Sequence, residues 1–111
     1  MNAPGLAILI IGLGPVGQSL AAGLRAAGLK VSAERRLAAP DSADVADAQT
    51  DAADVVILAV RDDAIAAVAA AVVAAGRAGP DTVLLHCAGS RPPLQVLAAQ
   101  TQVAGRGLLH P

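Results

Sequence analysis

Leu6-Ala7-Ile8-Leu9-Ile10-Ile11 is an unbroken apolar run that ends at Gly12. No polar residue alternates with the apolar ones, so the run predicts a strand buried on both faces, as in a parallel sheet covered by helices. Over residues 16–27 the spacing turns helical, with Val16, Leu20 and Leu24 on one stripe and Gly28 as the stop. Residues 29–33 predict a second short strand, which runs into Glu34-Arg35-Arg36. Residues 55–60 form another fully apolar run and predict a third strand. Asp62 and Asp63 then sit where acids cap a helix, and Ile65, Val68, Val72 and Ala75 mark one helical face that Gly76 closes. Residues 82–86 predict the fourth strand, and Cys87-Ala88-Gly89-Ser90 a turn. Pro92 and Pro93 suit the start of a helix carrying Leu94, Val96 and Leu97, and residues 105–109 predict a last strand. Between the second and third strands, Pro40 to Asp54 is acidic and Ala-rich, and reads as a solvated connection with a short, weak helix over about 42–48.

Strands that alternate with helices of these lengths predict βαβ units, and hence an α/β fold with a parallel sheet of about five strands. No segment repeats. The 111 residues suffice for one domain over 1–111 with a single core, which removes roughly two-thirds of the unfolded chain's surface from water. That core has no Phe, Tyr or Trp, so the 31 Leu, Ile and Val residues must supply most of the packing around 28 alanines. The same 31 residues exclude intrinsic disorder.

A net charge of −1, with no Lys/Arg run and no aromatic platform, argues against a nucleic-acid partner. The opening apolar run is too short for a bilayer, which needs about 20 residues, and lacks the basic flank of a signal peptide. No membrane association is therefore expected. A single cysteine, Cys87, rules out an internal disulfide and suits a reducing, cytoplasmic setting.

Gly12-Leu13-Gly14-Pro15-Val16-Gly17 follows a buried strand and opens an amphipathic helix, the context in which a G-x-G-x-x-G run binds a dinucleotide. Gly12 allows the tight turn, Gly14 lets the backbone approach a pyrophosphate, and Gly17 permits close helix–strand packing. Pro15 donates no N–H, so phosphate binding at the helix start falls mainly on Val16 and Gly17. A glycine turn that binds nothing is the alternative. About 20 residues beyond the glycines, an acid favours NAD and an arginine favours NADP. Glu34 is that acid and Arg35 and Arg36 follow it, which tilts the expectation towards NADP(H) with NAD possible. A solvated charged turn is the competing reading.

Ala59, Val60 and Arg61 end the third strand across the topological switch point from the glycine turn, so Arg61 is placed to approach phosphate or ribose, with an ordinary exposed surface arginine as the alternative. His86, Cys87 and His110 end neighbouring strands, yet lack the short spacings of familiar zinc sites, and no metal is expected. Cys87 reads as a small buried hydrophobe rather than a nucleophile. Ser90 is placed to touch a nicotinamide or, equally, to cap the helix at Pro92.

These segments together resemble the NAD(P)-binding domain of the 6-phosphogluconate dehydrogenase-like superfamily. They are residues 10–17, 53–65, 85–90 and 107–111, which follow the family order along the whole chain. The likeness is strongest to Rossmann-like oxidoreductases with a helical C-terminal domain of unknown function. Pyrroline-5-carboxylate reductases, prephenate dehydrogenases and deazaflavin-dependent NADP oxidoreductases are relatives of that group. The resemblance implies a three-layer, Rossmann-type doubly wound parallel sheet with helices on both faces. It also implies pyrophosphate on residues 13–17, the 2′ end of the cofactor near Arg35 and Arg36, and the nicotinamide near Ala59, Val60, Arg61, Cys87 and Ser90. His110-Pro111 is similar to the family's histidine–proline pair on the substrate side. Three features depart from the pattern. Arg61 stands where relatives usually have proline, residues 36–51 form a shorter segment than usual, and the sequence stops where the helical substrate domain would begin.

The expected function is therefore a nicotinamide-dinucleotide-binding domain of an oxidoreductase, with little turnover alone and no catalytic residue identified. A fold-retaining association module that has lost its cofactor is the alternative, and a complete small enzyme built as an oligomer is a third possibility. A homodimer is also expected, because loss of the companion domain would uncover Leu94, Leu97, Leu108 and Leu109.

Overall fold

A computed structural model describes residues 6–34, 52–87, 97 and 100–109. Within them the chain runs β1 (Ala7–Ile11), α1 (Pro15–Ala26), β2 (Lys30–Glu34) and β3 (Val55–Leu58). A 3₁₀ turn (Asp62–Ala64) leads into α2 (Ile65–Ala74), followed by β4 (Val83–His86) and β5 (Gly105–Leu108). The five strands form one parallel sheet in the order β2-β1-β3-β4-β5. This is a doubly wound α/β fold of the Rossmann type.

Side-chain alternation along the strands divides the interior into two cores. Leu9, Ile11, Val56, Leu58 and Leu84 point to the face covered by Ile65, Ala69 and Val72 of α2. Ile8, Ile10 and Ile57 point the other way, against Ala21 of α1. The helices thus lie on opposite faces, which is why β1 and β3 read as unbroken apolar runs. Complete burial of a side chain such as Ile10, Leu58 or Ile65 contributes about 1.5–3 kcal/mol each. Ala21 and Ala69, both buried, stand where larger side chains would hold the helices off the sheet. β2 pairs only with β1 among the described strands, and its Lys30 and Ser32 are exposed.

Both helices end in the same hydrogen-bonded turn. Leu29 N–H donates to Leu24 O and Gly28 N–H to Arg25 O, while Arg77 N–H donates to Val72 O and Gly76 N–H to Val73 O. This Schellman pairing satisfies the last carbonyls and turns each chain sharply off its helix. At the amino-terminal edge of the sheet, Asp54 N–H donates to Ala7 O and Asp54 Oδ2 accepts from Ala7 N–H, both at 2.8 Å. Thr82, almost wholly buried, donates from Oγ1 to Ala53 O at 2.6 Å and accepts from Gly79 N–H at 2.9 Å.

Two expectations need correction. Leu97 is fully buried in the α2-side core rather than left uncovered, because it packs with the apolar cluster that Val103 also joins. Asp62 and Asp63 do not cap the helix with their side chains. Arg61 is the N-cap of the 3₁₀ turn and Ala64 that of α2, neither with a side-chain cap, and both acids lie inside the 3₁₀ turn, where they face the positive end of its backbone dipole. The helix expected from Pro92, the weak helix over about 42–48, and Leu94 lie outside the described residues. No helix among the described residues is long and apolar enough to cross a membrane.

Candidate functional site at the β1–β3 switch point

The sheet order reverses between β1 and β3: α1 carries the chain from β1 to one side, and α2 carries it from β3 to the other. In open α/β sheets the crevice outside the carboxyl ends of two such strands is where ligands bind. The glycine turn and the residues after β3 meet there. Ala59 N–H donates to Ile11 O at 2.8 Å, and Gly12 N–H donates to Glu34 O at 2.7 Å, so the ladder continues to the mouth of the turn.

The three glycines of the turn have different surroundings. Gly12 has φ +108°, and a Cβ there would overlap the carbonyl oxygen of Ala59 and lie 2.8 Å from its carbonyl carbon. At Gly17 a Cβ would run into the carbonyl oxygen of Gly12. These two positions therefore require glycine for packing of backbone on backbone. Gly14 does not. Its φ of −74° and ψ of −170° suit any residue, and nothing lies within 4 Å of where its Cβ would stand.

Gly14 is the N-cap of α1 and Pro15 its first residue, and no side chain caps the helix. Gln18 bridges the turn, donating from its backbone N–H to Gly14 O at 2.9 Å and from Nε2 to Leu13 O at 2.7 Å. A helix leaves its first N–H groups without intrahelical acceptors, and the first turn of α1 contains no acid. Val16, 39% exposed, is the large apolar side chain at this edge. The electrostatics at the helix start thus favour an anion.

Gly12, Leu13, Gly14, Pro15, Val16 and Gly17 share the switch point with Ala59, Val60 and Arg61. Arg61 is 87% exposed and meets Asp63 at 3.5 Å, an ion pair of the kind that adds little to stability. Glu34 ends β2 beside the turn, but its carboxylate accepts a hydrogen bond from Arg77 Nη2 at 2.7 Å. Cys87 follows β4, partly buried against the α1-side core, and burial pushes its thiol pKa up. His86 points to the opposite face, level with Leu58 in the register, and is fully buried. Burial lowers its imidazole pKa, while the Asp62 carboxylate acts in the other direction. Arg35, Arg36, Ser90 and His110 lie outside the described residues. Among the described residues no three His, Cys, Asp or Glu side chains are grouped to hold a metal ion.

Arg77 escaped the sequence reading. It lies 43 residues from Glu34, immediately after a helix stop, where a basic residue usually serves only the helix dipole. No protein-family model matches the chain, and no curated protein matches it either.

Proposed function

We propose that this chain is the nicotinamide-dinucleotide-binding domain of an oxidoreductase, with the pyrophosphate seated on the 12–17 turn. The contrast among the three glycines carries the reading. Packing accounts for Gly12 and Gly17, whereas Gly14 meets no internal demand and opens onto clear space. An Asn, Asp or Ser there would cap α1 and stabilise it slightly. It would also put oxygen atoms where a diphosphate approaches the N–H groups of Val16 and Gly17, so glycine at this position suits an anionic ligand better than it suits the helix.

When bound, the nicotinamide supplies hydride transfer. The chain's part in this reading is to bind and orient. Val16 and Gly17 hold the diphosphate, Arg35 and Arg36 reach the 2′ end, and Ala59, Val60, Arg61, Cys87 and Ser90 border the nicotinamide. NADP(H) is the preferred cofactor, with NAD(H) accepted. His110 is the substrate-side candidate and proton transfer is assigned to no residue of this chain, so little turnover is expected from it alone. Homodimerisation belongs to the same reading, with Leu108, 36% exposed, on the contact surface.

The test is a titration of NADPH and NADH, followed by nicotinamide fluorescence and calorimetry. The absence of Trp and Tyr leaves that emission clean. Saturable binding by the wild-type chain, lost in Gly14→Val with only a modest loss of stability, is the expected result. No saturable binding of either nucleotide at millimolar concentration overturns the assignment, and an unaltered ligand response in Gly14→Val favours an association module that keeps the fold without the cofactor.

A further inference from the structure

A carboxylate at the end of the second strand ordinarily accepts hydrogen bonds from the ribose hydroxyls of an NAD-type cofactor and repels a 2′-phosphate. Glu34 occupies that strand end, but its charge is already answered. Arg77 Nη2 stands 2.7 Å from Glu34 Oε2, and the two side chains are only 10% and 23% exposed. Glu34 is level with Ile11 in the register, and Ile11 with Leu58, so its side chain belongs to the α2 face of the sheet, the face on which Arg77 lies.

The arginine is not a surface side chain that happens to meet an acid. Its N–H donates to Val72 O at 3.0 Å in the turn that ends α2, and its carbonyl accepts from Ala53 N–H at 3.0 Å ahead of β3. Anchored on both sides, its backbone fixes where the guanidinium begins. A charge-assisted bond in partly excluded solvent then holds the carboxylate in place.

We infer that Arg77 sets cofactor specificity through Glu34: by holding and neutralising that carboxylate, it removes the group that would repel a 2′-phosphate and opens the ribose end of the site to NADP(H). Arg77 is a positioning residue here, since it acts on the cofactor only through Glu34. The inference rests on the dinucleotide-binding reading above.

The experiment measures affinity for NADPH and NADH by fluorescence titration, with thermal melting to verify folding, on the full chain and two variants. The wild-type chain is expected to bind NADPH at least as tightly as NADH. Arg77→Met, which frees the Glu34 charge, is expected to lower the NADPH-to-NADH affinity ratio by about tenfold or more, because an uncompensated like charge then faces the 2′-phosphate. Glu34→Gln combined with Arg77→Met removes both charges and is expected to return the ratio to within about threefold of wild type, since no net charge is then restored to the site. Clear wild-type preference for NADH overturns the inference, as does an unmoved ratio in folded Arg77→Met. If Arg77→Met does not fold, the double variant decides: a ratio about tenfold or more away from wild type overturns the inference. Failure of the wild-type chain to bind either nucleotide is a different outcome and overturns the dinucleotide reading itself, with this inference.

Discussion

A Cβ on Gly17 would run into the carbonyl oxygen of Gly12 and come within 2.8 Å of its carbonyl carbon. The first turn of α1 therefore rests directly on the end of β1, and the Gly12 backbone in turn rests on that of Ala59. Gly17→Ala and Gly12→Ala should each lower stability by about 3 kcal/mol or more, the second also through its positive φ. Gly14→Ala should cost less than about 1 kcal/mol, the difference between glycine and alanine at an N-cap. Urea denaturation of the three variants checks this ranking. Equal losses at all three positions would remove the distinction between packing glycines and the open one.

Thr82 ties two loops together at the opposite edge of the sheet. Its hydroxyl is at once the donor to Ala53 O and the acceptor for Gly79 N–H, within a nearly inaccessible site. Thr82→Val keeps the shape and removes both bonds, leaving the half-buried Gly79 N–H and Ala53 carbonyl without this partner. A loss of about 1–3 kcal/mol is expected, read from the denaturation midpoint. Thr82→Ser, which retains the hydroxyl, should recover most of it; a serine variant as weak as the valine one would refute the hydrogen-bond account.

The fold was legible where burial is two-sided. Residues 6–11 and 55–60 contain no outward-facing polar position, and their cores, Ala7–Ile11 and Val55–Leu58, became two adjacent interior strands. Helix ends were legible because Gly28 and Gly76 punctuate them. The glycine turn and the residues after β3 converge as their positions at strand ends require. Two features were hidden for physical reasons. Leu97 was expected on the surface, but its burial depends on contacts with distant strands and helices that no local pattern records. The pairing of Glu34 with Arg77 joins a strand end to a post-helical turn, and charge at either position alone reads as solvated. Arg35 and Arg36, the residues expected at the 2′ end of a cofactor, lie outside the described residues.

Cys87 offers a chemical probe of the edge next to β4. Burial raises its pKa, so less of it is thiolate at any given pH than for an open cysteine. Alkylation by iodoacetamide at mildly alkaline pH should run several-fold slower on the folded chain than on the urea-unfolded chain. Equal rates would mean that the thiol is neither shielded nor shifted. If the nicotinamide does border this residue, saturating NADPH should slow the folded-state reaction further.

His86 makes stability depend on pH with a defined sign. Its side chain is fully buried at the end of β4, and burial lowers its folded-state pKa below the ordinary imidazole value of about 6.5, against the opposing pull of Asp62. Above about pH 6.5 the imidazole is neutral in both folded and unfolded chains and contributes no pH dependence. Below it, the unfolded chain binds a proton that the folded chain resists. Stability then falls as the pH drops, by at most about 1.4 kcal/mol per pH unit, and levels off once the folded-state pKa is passed. Carboxylates titrate mainly near pH 4, so the interval from about pH 6.5 to 5 isolates the effect. His86→Gln cannot titrate, and its stability should decline less steeply than wild type across that interval. A constant difference between the two curves from pH 7.5 to 5 would show that the buried imidazole takes up its proton as readily as it does in the unfolded chain, contrary to its position in the core.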